Sequence, residues 1–167
     1  MSKNNILING FGRIGRAILR KLSKKKFVNK IYINDLNEDF DNLTYIYNYD
    51  KLVNIYKRFP KILKKNNNYS INKKKIFFLK KLKTIDLHKF IDISHIIDCT
   101  GVSNNSDELI KFAKKNKKLK FFFTFDHPIS EITLVLGANE RFLKSNHRFI
   151  STSICDATAL APFLKVI

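Results

Sequence analysis

The sequence predicts an α/β domain with a doubly wound, mainly parallel sheet and helices on both faces. Apolar, β-branched runs of strand length alternate along the 167 residues with segments of helical period, which is the pattern of successive βαβ units. A glycine-rich turn joins the first run to the first helical segment, and an aspartate ends the second run. We therefore expect parallel strands that are joined by crossover helices around one core.

The predicted strands are short apolar runs bounded by turn residues. They cover residues 6–9, 31–34, 76–79, 93–99, 119–123, 132–136 and 149–151. Between Asp50 and Lys75 the chain is rich in Lys and Asn, and we expect exposed loops and hairpin edges there.

Helical period and capping residues predict the helices. The first runs from residue 14 to about residue 22, and its apolar face consists of Ile14, Ala17, Ile18 and Leu22. The second spans residues 39–49, and the third follows Ser106 as N-cap and ends near Lys115. A further apolar helical stretch, residues 157–166, comes directly after Cys155.

Composition and charge indicate which binding partners and which cellular compartment to expect. The net charge of +18 would attract nucleic acid or an anionic membrane. However, Lys, Asn, Ile, Phe and Tyr are abundant together and Arg is scarce beside Lys, so compositional drift accounts for the charge and we expect neither partner. Two distant cysteines without metal-ligand spacing, and no apolar or Arg-rich leader, predict a cytoplasmic protein without a metal site.

The glycine-rich turn Gly10-Phe11-Gly12-Arg13-Ile14-Gly15 has the spacing G-x-G-x-x-G. It follows a predicted strand and opens a helix, the context of a Rossmann-type dinucleotide-binding domain. Asp35 ends the next strand 20 residues after Gly15, where a carboxylate binds the adenosine ribose hydroxyls and repels the extra phosphate of NADP. The alternative is that the glycines only form a turn and Asp35 only caps a strand. The strand, glycine turn, helix and aspartate follow one another at the spacing of a dinucleotide-binding domain, which favours NAD as cofactor.

The run from Ile8 to Arg16, INGFGRIGR, resembles the opening of the glyceraldehyde-3-phosphate dehydrogenase family, with erythrose-4-phosphate dehydrogenase as a close relative. The resemblance continues through residues 33–35, 49–50, 98–102, 137–139 and 151–162, and so covers nearly the whole chain. It implies an NAD-binding domain over residues 1–150, then a nucleophile-cysteine segment over residues 151–167 that is truncated at the start of its helix. The family's catalytic domain is absent from this sequence.

The resemblance also assigns the cofactor site. Arg13 and Ile14 would offer loop amides to the pyrophosphate, Thr100 and Gly101 would form a wall beside the cofactor, and Thr124 falls near the nicotinamide. The full expected set is Gly10, Phe11, Gly12, Arg13, Ile14, Gly15, Asp35, Thr100, Gly101 and Thr124.

Cys155 aligns with the family's catalytic nucleophile, which attacks the aldehyde, passes hydride to NAD through a thiohemiacetal and becomes a thioester. Its place before an apolar helix favours the thiolate, while the alternative is a buried, inert cysteine. The family's flanking hydroxyl residues are replaced here by Ile154 and Asp156, and a carboxylate beside the sulfur opposes thiolate formation. For Cys99 we favour the inert interpretation.

The family's base is a histidine of its second domain, and the four histidines of this chain do not align with it. We expect His88, His95, His127 and His147 to lie at the surface or in turns.

The resemblance therefore implies an NAD-dependent phosphorylating aldehyde dehydrogenase, a glycolytic oxidoreductase, with no appreciable activity from this chain alone. An aldose phosphate would be the substrate if a catalytic domain is supplied, and the full-length family implies a homo-oligomer. The residues leave glyceraldehyde 3-phosphate and erythrose 4-phosphate undecided. The alternative is a noncatalytic NAD-binding or interaction protein derived from the same family.

Overall fold

The computed structural model describes residues 4–50, 59–80 and 92–166. The described strands are β1 (Asn4–Asn9), β2 (Val28–Asp35), β3 (Leu63–Lys65), β4 (Asn68–Ile71), β5 (Lys74–Lys80), β6 (His95–Asp98), β7 (Lys120–Phe123), β8 (Ile132–Thr133) and β9 (Phe149–Ser151). The described helices are α1 (Arg13–Leu22), α2 (Phe40–Tyr49), α3 (Asp107–Lys115) and α4 (Cys155–Leu164), with short 3-10 turns at Ser103–Ser106 and Glu140–Phe142.

All of these strands belong to one sheet in the order β3-β4-β5-β2-β1-β6-β7-β9-β8. In this order, every pair of neighbouring strands from β5 through β2, β1, β6, β7 and β9 to β8 is parallel. The pairs β3–β4 and β4–β5 are antiparallel. The chain moves outward from β1 through β2 to β5 and then returns to β6 on the other side of β1. The carboxyl ends of β1, β2 and β6 therefore meet at a topological switch point, where open α/β sheets bind ligands. This topology confirms the predicted fold class.

The core lies on both faces of the sheet because successive residues of a strand point in opposite directions. In β1, Ile6 and Ile8 belong to a cluster that contains Leu19 of α1 and Leu43 of α2. Leu7 belongs to the opposite cluster, which contains the apolar residues of α3 together with Phe121 and Phe123 of β7. β1 is thus covered on both sides, as expected for the central strand of a doubly wound sheet.

Three local expectations were tested by the structure. The predicted helix 39–49 is confirmed as α2, and Asp39 is its N-cap, since the Asp39 carboxylate accepts the Asn42 N–H at 2.9 Å. The predicted strand 132–136 is wrong beyond Thr133, because the Asn139 side chain bonds the Thr133 carbonyl and the Val135 N–H and turns the chain away from the sheet. Ser106 is also not a side-chain cap of α3, since its hydroxyl is bonded to Asp98 instead.

Within the described residues, no helix has both the length and the apolar character needed to cross a membrane.

Candidate cofactor site

The glycine turn after β1 is the first component of the site. Gly10 has a φ of +87°, in the left-handed region that side chains rarely adopt, and its N–H donates to the Asn34 carbonyl at 2.8 Å. A Cβ at Gly10 would lie 3.0 Å from the backbone of Cys99 and of Thr100. Both backbone conformation and space therefore require glycine here, because three strand ends converge on this residue.

Gly15 and Gly12 are glycine for different reasons. A Cβ at Gly15 would lie 2.1 Å from the Gly10 carbonyl oxygen, so α1 sits directly on the turn only because that side chain is missing. A Cβ at Gly12 would meet no atom within 4 Å. The chain's own packing therefore requires no glycine at position 12. Its bare backbone leaves open space above the start of α1, which is the place where a pyrophosphate approaches in dinucleotide sites.

The start of α1 is suited to an anion. Gly12 is the N-cap and makes no side-chain capping bond, and the first turn contains no acidic residue. The first N–H groups of a helix lack intrahelical partners and carry partial positive charge. Arg13 is exposed at this end and adds a full positive charge. A phosphate placed above Gly12 would meet both sources of positive potential.

Asp35 fixes the turn from the end of β2. Its Oδ2 accepts the Phe11 N–H at 2.6 Å and its Oδ1 accepts the Asn37 N–H at 2.9 Å. Each carboxylate oxygen retains further acceptor capacity, which two ribose hydroxyls can use. The carboxylate borders a cleft of about 280 Å³ at the switch point. The cleft is lined by Asn9, Gly10, Asn34, Asp35, Leu36, Thr100 and Asn105.

The opposite wall of this cleft depends on Asp98, which the sequence analysis did not identify. Asp98 ends β6 and is completely buried. Its Oδ1 accepts the Thr100 N–H at 2.8 Å and the Thr100 hydroxyl at 2.7 Å, and its Oδ2 accepts the Ser106 hydroxyl. Burial raises the pKa of the Asp98 carboxyl above its ordinary value, and the bonds from Thr100 act in the opposite direction. An acid that ends a strand just before Thr-Gly is the signal that would have found it.

A second, apolar groove lies on the α1 side of β6 and β7. It has a volume of about 860 Å³, and its lining combines residues of α1, β6, β7, the segment after β8 and the start of α4. Thr124 lines it and is held by the Asp98 carbonyl, which accepts the Thr124 hydroxyl at 2.9 Å and the Thr124 N–H at 3.0 Å. The lining is Ile14, Ile18, Ile97, Phe122, Thr124, Leu134, Leu136, Thr152, Ser153, Ile154, Cys155, Thr158 and Ala159.

Cys155 is the first residue of α4 and is exposed at this groove. The buried alternative for Cys155 is therefore wrong. Its thiol donates to the Asp156 carboxylate at 3.3 Å. Among the described residues that line the groove there is no histidine, so no imidazole there can take the thiol proton. The thiol thus faces a carboxylate and apolar side chains.

Cys99, His127 and His95 lie outside the groove, and each of them has a different environment. Burial raises the pKa of Cys99 to about 12, in agreement with an inert thiol. His127 lies in a turn, as expected, since its carbonyl accepts the Ser130 N–H at 3.0 Å, but it is not at the surface: it is 7% exposed and its ring stacks on Phe123 at 4.2 Å because the chain folds back over the core after β7. His95 is half-buried against Phe122, and burial lowers its pKa.

The remaining histidines are His147 and His88. His147 lies in a turn, as expected, where its ring accepts the Lys144 N–H at 3.2 Å. His88 lies outside the described residues. The described part of the chain also contains no group of three or more metal-binding side chains.

The expected cofactor residues are therefore divided between two neighbouring places. Gly10, Asp35 and Thr100 meet in the polar cleft, while Ile14 and Thr124 meet in the apolar groove with Cys155. The Phe11 side chain is buried in the core, so this residue can offer only its backbone. Gly101 has a φ of +72° and a Cβ there would meet no atom within 4 Å. The contacts of each residue with a cofactor stay predictions.

Comparison with known proteins gives the same family as the sequence resemblance. The family model described as the glyceraldehyde 3-phosphate dehydrogenase NAD binding domain matches residues 4–106. Glyceraldehyde-3-phosphate dehydrogenase of Thermotoga maritima is 31% identical over 166 residues, which are 97% of this chain and 48% of that protein. Glyceraldehyde-3-phosphate dehydrogenase 2 of Bacillus subtilis is 28% identical over 167 residues, 99% of this chain and 48% of that protein. The chain thus spans about half the length of the curated relatives it matches, and the family model confirms the predicted NAD cofactor.

Proposed function

Because this chain belongs to the glyceraldehyde-3-phosphate dehydrogenase family, we propose that it is the NAD-holding part of a phosphorylating aldehyde dehydrogenase. The glycine turn and Asp35 bind the dinucleotide, and the segment that begins at Cys155 carries the nucleophile. The described residues alone do not complete the reaction. We place the protein in the cytoplasm, which its two free cysteines support.

One observation carries the cofactor assignment. Gly10 and Gly15 are required by contacts inside the chain, but Gly12 faces open space at the start of α1. On the other side of the same turn, Asp35 is held by the Phe11 N–H at 2.6 Å and borders the cleft. An anion above Gly12 and a ribose beside Asp35 would lie on opposite sides of one turn, which matches the order of phosphate and ribose in a dinucleotide.

NAD supplies the hydride acceptor when it is bound. The chain's own residues then have two tasks. The polar cleft orients the adenosine half through Asp35 and the helix N-terminus. The apolar groove excludes water around the place where the Cys155 thiolate would attack the aldehyde carbon of an aldose phosphate and form a thiohemiacetal. The proposed substrates are glyceraldehyde 3-phosphate and erythrose 4-phosphate, and the proposed assembly is a homo-oligomer.

Among the described residues that line the groove, none is a base suited to take the Cys155 thiol proton. The Cys155 thiol proton points to Asp156, a weak base that also repels the thiolate it would create. General-base assistance accelerates such steps by about 10² to 10⁴. We therefore expect the dehydrogenase reaction only when a further polypeptide segment brings a base to this groove.

The alternative, a noncatalytic NAD-binding protein of the same family, rests on the residues beside Cys155. Ile154 cannot donate a side-chain hydrogen bond, and Asp156 places negative charge where a substrate phosphate would approach. An assay with aldehyde phosphate, NAD and inorganic phosphate separates the two. We expect the absorbance of NADH to rise at the same rate for wild type and for Cys155→Ser; a faster wild-type rate would contradict the statement that the chain alone is inactive.

The cofactor assignment is tested by isothermal titration calorimetry with NAD and NADP. We expect saturable binding that is tighter for NAD, because the Asp35 carboxylate repels the additional phosphate. Asp35→Ala should weaken NAD binding by about 10- to 100-fold, the value of hydrogen bonds to a charged group. The matched control is Asp39→Ala, which removes a nearby carboxylate that caps α2 and does not line the cleft.

Asp39→Ala should leave NAD affinity unchanged. If the folded wild-type chain shows no saturable NAD binding, the proposal fails. If Asp35→Ala binds NAD as tightly as the wild type, the assignment of Asp35 fails.

A further inference from the structure

The wall of the polar cleft opposite Asp35 is a loop with few contacts of its own. Residues 101–105 are all exposed, and Gly101 has a φ of +72°. Thr100 and Asn105 nevertheless line the cleft, so their positions decide its width. Exposed loop residues do not bury enough apolar surface to fix a single conformation. Some other interaction must hold this wall.

The structure shows one side chain bonded to both ends of that loop. Asp98 Oδ1 accepts the N–H and the hydroxyl of Thr100 at 2.8 and 2.7 Å, where the loop begins. Asp98 Oδ2 accepts the hydroxyl of Ser106, where the loop ends and α3 starts. Both Asp98 and Ser106 are completely buried, so these bonds do not compete with water.

We propose that Asp98 is a positioning residue of the cofactor cleft, and that its carboxylate clamps the 100–106 loop at both ends so that the wall opposite Asp35 is preformed for NAD. This inference rests on the proposed NAD-binding function and adds to it a residue that does not line the cleft itself. Asp98 acts through Thr100 and Ser106, and a preformed wall saves the free energy of ordering the loop when the cofactor binds.

The location of Asp98 supports this role. It ends β6, which pairs with β1 on one side and β7 on the other, directly at the switch point of the sheet. Its backbone carbonyl also holds Thr124 at the apolar groove. A substitution of the side chain should leave the Thr124 bonds in place and release only the loop. A change in NAD affinity can therefore be assigned to the 100–106 loop of the polar cleft.

A purely structural role for Asp98 would give a different result from a positioning role, and two substitutions separate them. Asp98→Ala removes both clamps. Asp98→Asn keeps the shape, accepts from Thr100 through Oδ1 and can donate to the Ser106 hydroxyl through Nδ2, since a hydroxyl can accept as well as donate. If geometry positions the loop, asparagine should restore what alanine loses.

The test is a set of NAD titrations by calorimetry on the full chain, with unfolding midpoints measured on the same samples. We expect folded Asp98→Ala to bind NAD about tenfold more weakly, because the two released loop ends must be ordered on binding. Asp98→Asn should bind within about threefold of the wild type, since its hydrogen bonds are retained.

Where Asp98→Ala fails to fold, Ser106→Ala releases the clamp at the end of the loop, and Thr100→Val weakens the clamp at its start by removing the hydroxyl bond while the N–H bond stays. Ser23→Ala is their matched control, because it removes a buried hydroxyl bonded to the Arg20 carbonyl at 2.9 Å, outside the cleft lining. We expect weaker NAD binding from the two clamp variants and unchanged affinity from the control.

Wild-type affinity in folded Asp98→Ala, or in both single-clamp variants, would overturn the inference. Equal loss in Asp98→Asn and Asp98→Ala would do the same. A wild-type chain that does not bind NAD would instead overturn the proposed function.

Discussion

The glycine turn follows β1 and the cysteine helix α4 follows β9, two parallel strands of one sheet, yet contacts within the chain fix the turn and leave the helix exposed. At the turn, Gly15 leaves no space for even a methyl group and Asp35 bonds the loop backbone. In α4 no residue is buried, and Phe163 is 71% exposed. The cofactor end is thus fixed by contacts within the described chain, whereas the nucleophile end is left with apolar side chains that these contacts do not cover.

The two cysteines give the largest expected contrast between these regions. Cys99 lies beside the glycine turn with a pKa raised to about 12, while Cys155 is exposed at the start of α4. Since the thiolate is the reactive form, Cys99 should carry about 3,000-fold less of it than an ordinary cysteine of pKa about 8.5. A maleimide or disulfide reagent should label one thiol per folded chain and two after unfolding.

Mass spectrometry of the labelled peptides checks which thiol reacts. Cys155→Ser should leave the folded chain almost unlabelled. Equally rapid labelling of Cys99 in the folded state would show that the region around the turn is open, and the contrast would disappear.

The second largest effect is expected at Gly15 and Gly12. Substitutions at these two glycines distinguish a loss of stability from a loss of NAD binding. Gly15→Ala places a Cβ 2.1 Å from the Gly10 carbonyl oxygen, so α1 must move away from the turn. We expect the free energy of unfolding to fall by about 3 kcal/mol, as for overpacking of a rigid contact. Gly12→Ala meets no atom within 4 Å and should cost less than about 1 kcal/mol as an N-cap change.

Urea unfolding and NAD titration measure the two variants side by side. Gly12→Ala should lose little stability and lose NAD affinity, because the new methyl group would occupy the open space in which we propose that the pyrophosphate binds. Retained affinity in Gly12→Ala would mean that the ligand does not reach this turn.

The smallest effect is expected in α4. Phe163→Ser and Leu160→Ser replace apolar side chains that are 71% and 57% exposed. We expect the free energy of unfolding to change by less than about 0.5 kcal/mol for each, as at other surface positions. The matched core substitution is Leu19→Ala in α1, a completely buried side chain, for which about 3 kcal/mol is expected. A large loss from the α4 variants would show that this helix is held by contacts after all.

The features with local signals could be predicted from the sequence. The glycine spacing, the strand before it and the aspartate at the end of the next strand all lie within Ile6 to Asp35, and the structure brings Asn9, Gly10 and Asp35 to one cleft. The topology followed from the alternation of strand and helix patterns. Ser106 shows the limit of such reasoning, because it has the residue type and position of a cap while its hydroxyl is bonded to Asp98.

The features that depend on distant contacts could not be predicted. The strand-end position of Asp98 before Thr100-Gly101 can be read from the sequence, but its bond to Ser106 cannot, since that bond depends on a loop that returns to it. His127 looks like a turn residue in the sequence, but the path of the chain after β7 stacks it on Phe123. Its burial is decided by tertiary packing, which no short pattern contains.

The central claim is that the glycine turn is the part of this chain that holds NAD, and hydrogen–deuterium exchange with and without NAD tests it most directly. The account predicts slower exchange on NAD addition in peptides that cover Gly10 to Gly15 and Asp35. Exchange should be unchanged from Leu160 to Leu164 in α4, residues that do not line the groove. Unchanged exchange at the turn at saturating NAD, or protection confined to α4, would contradict it.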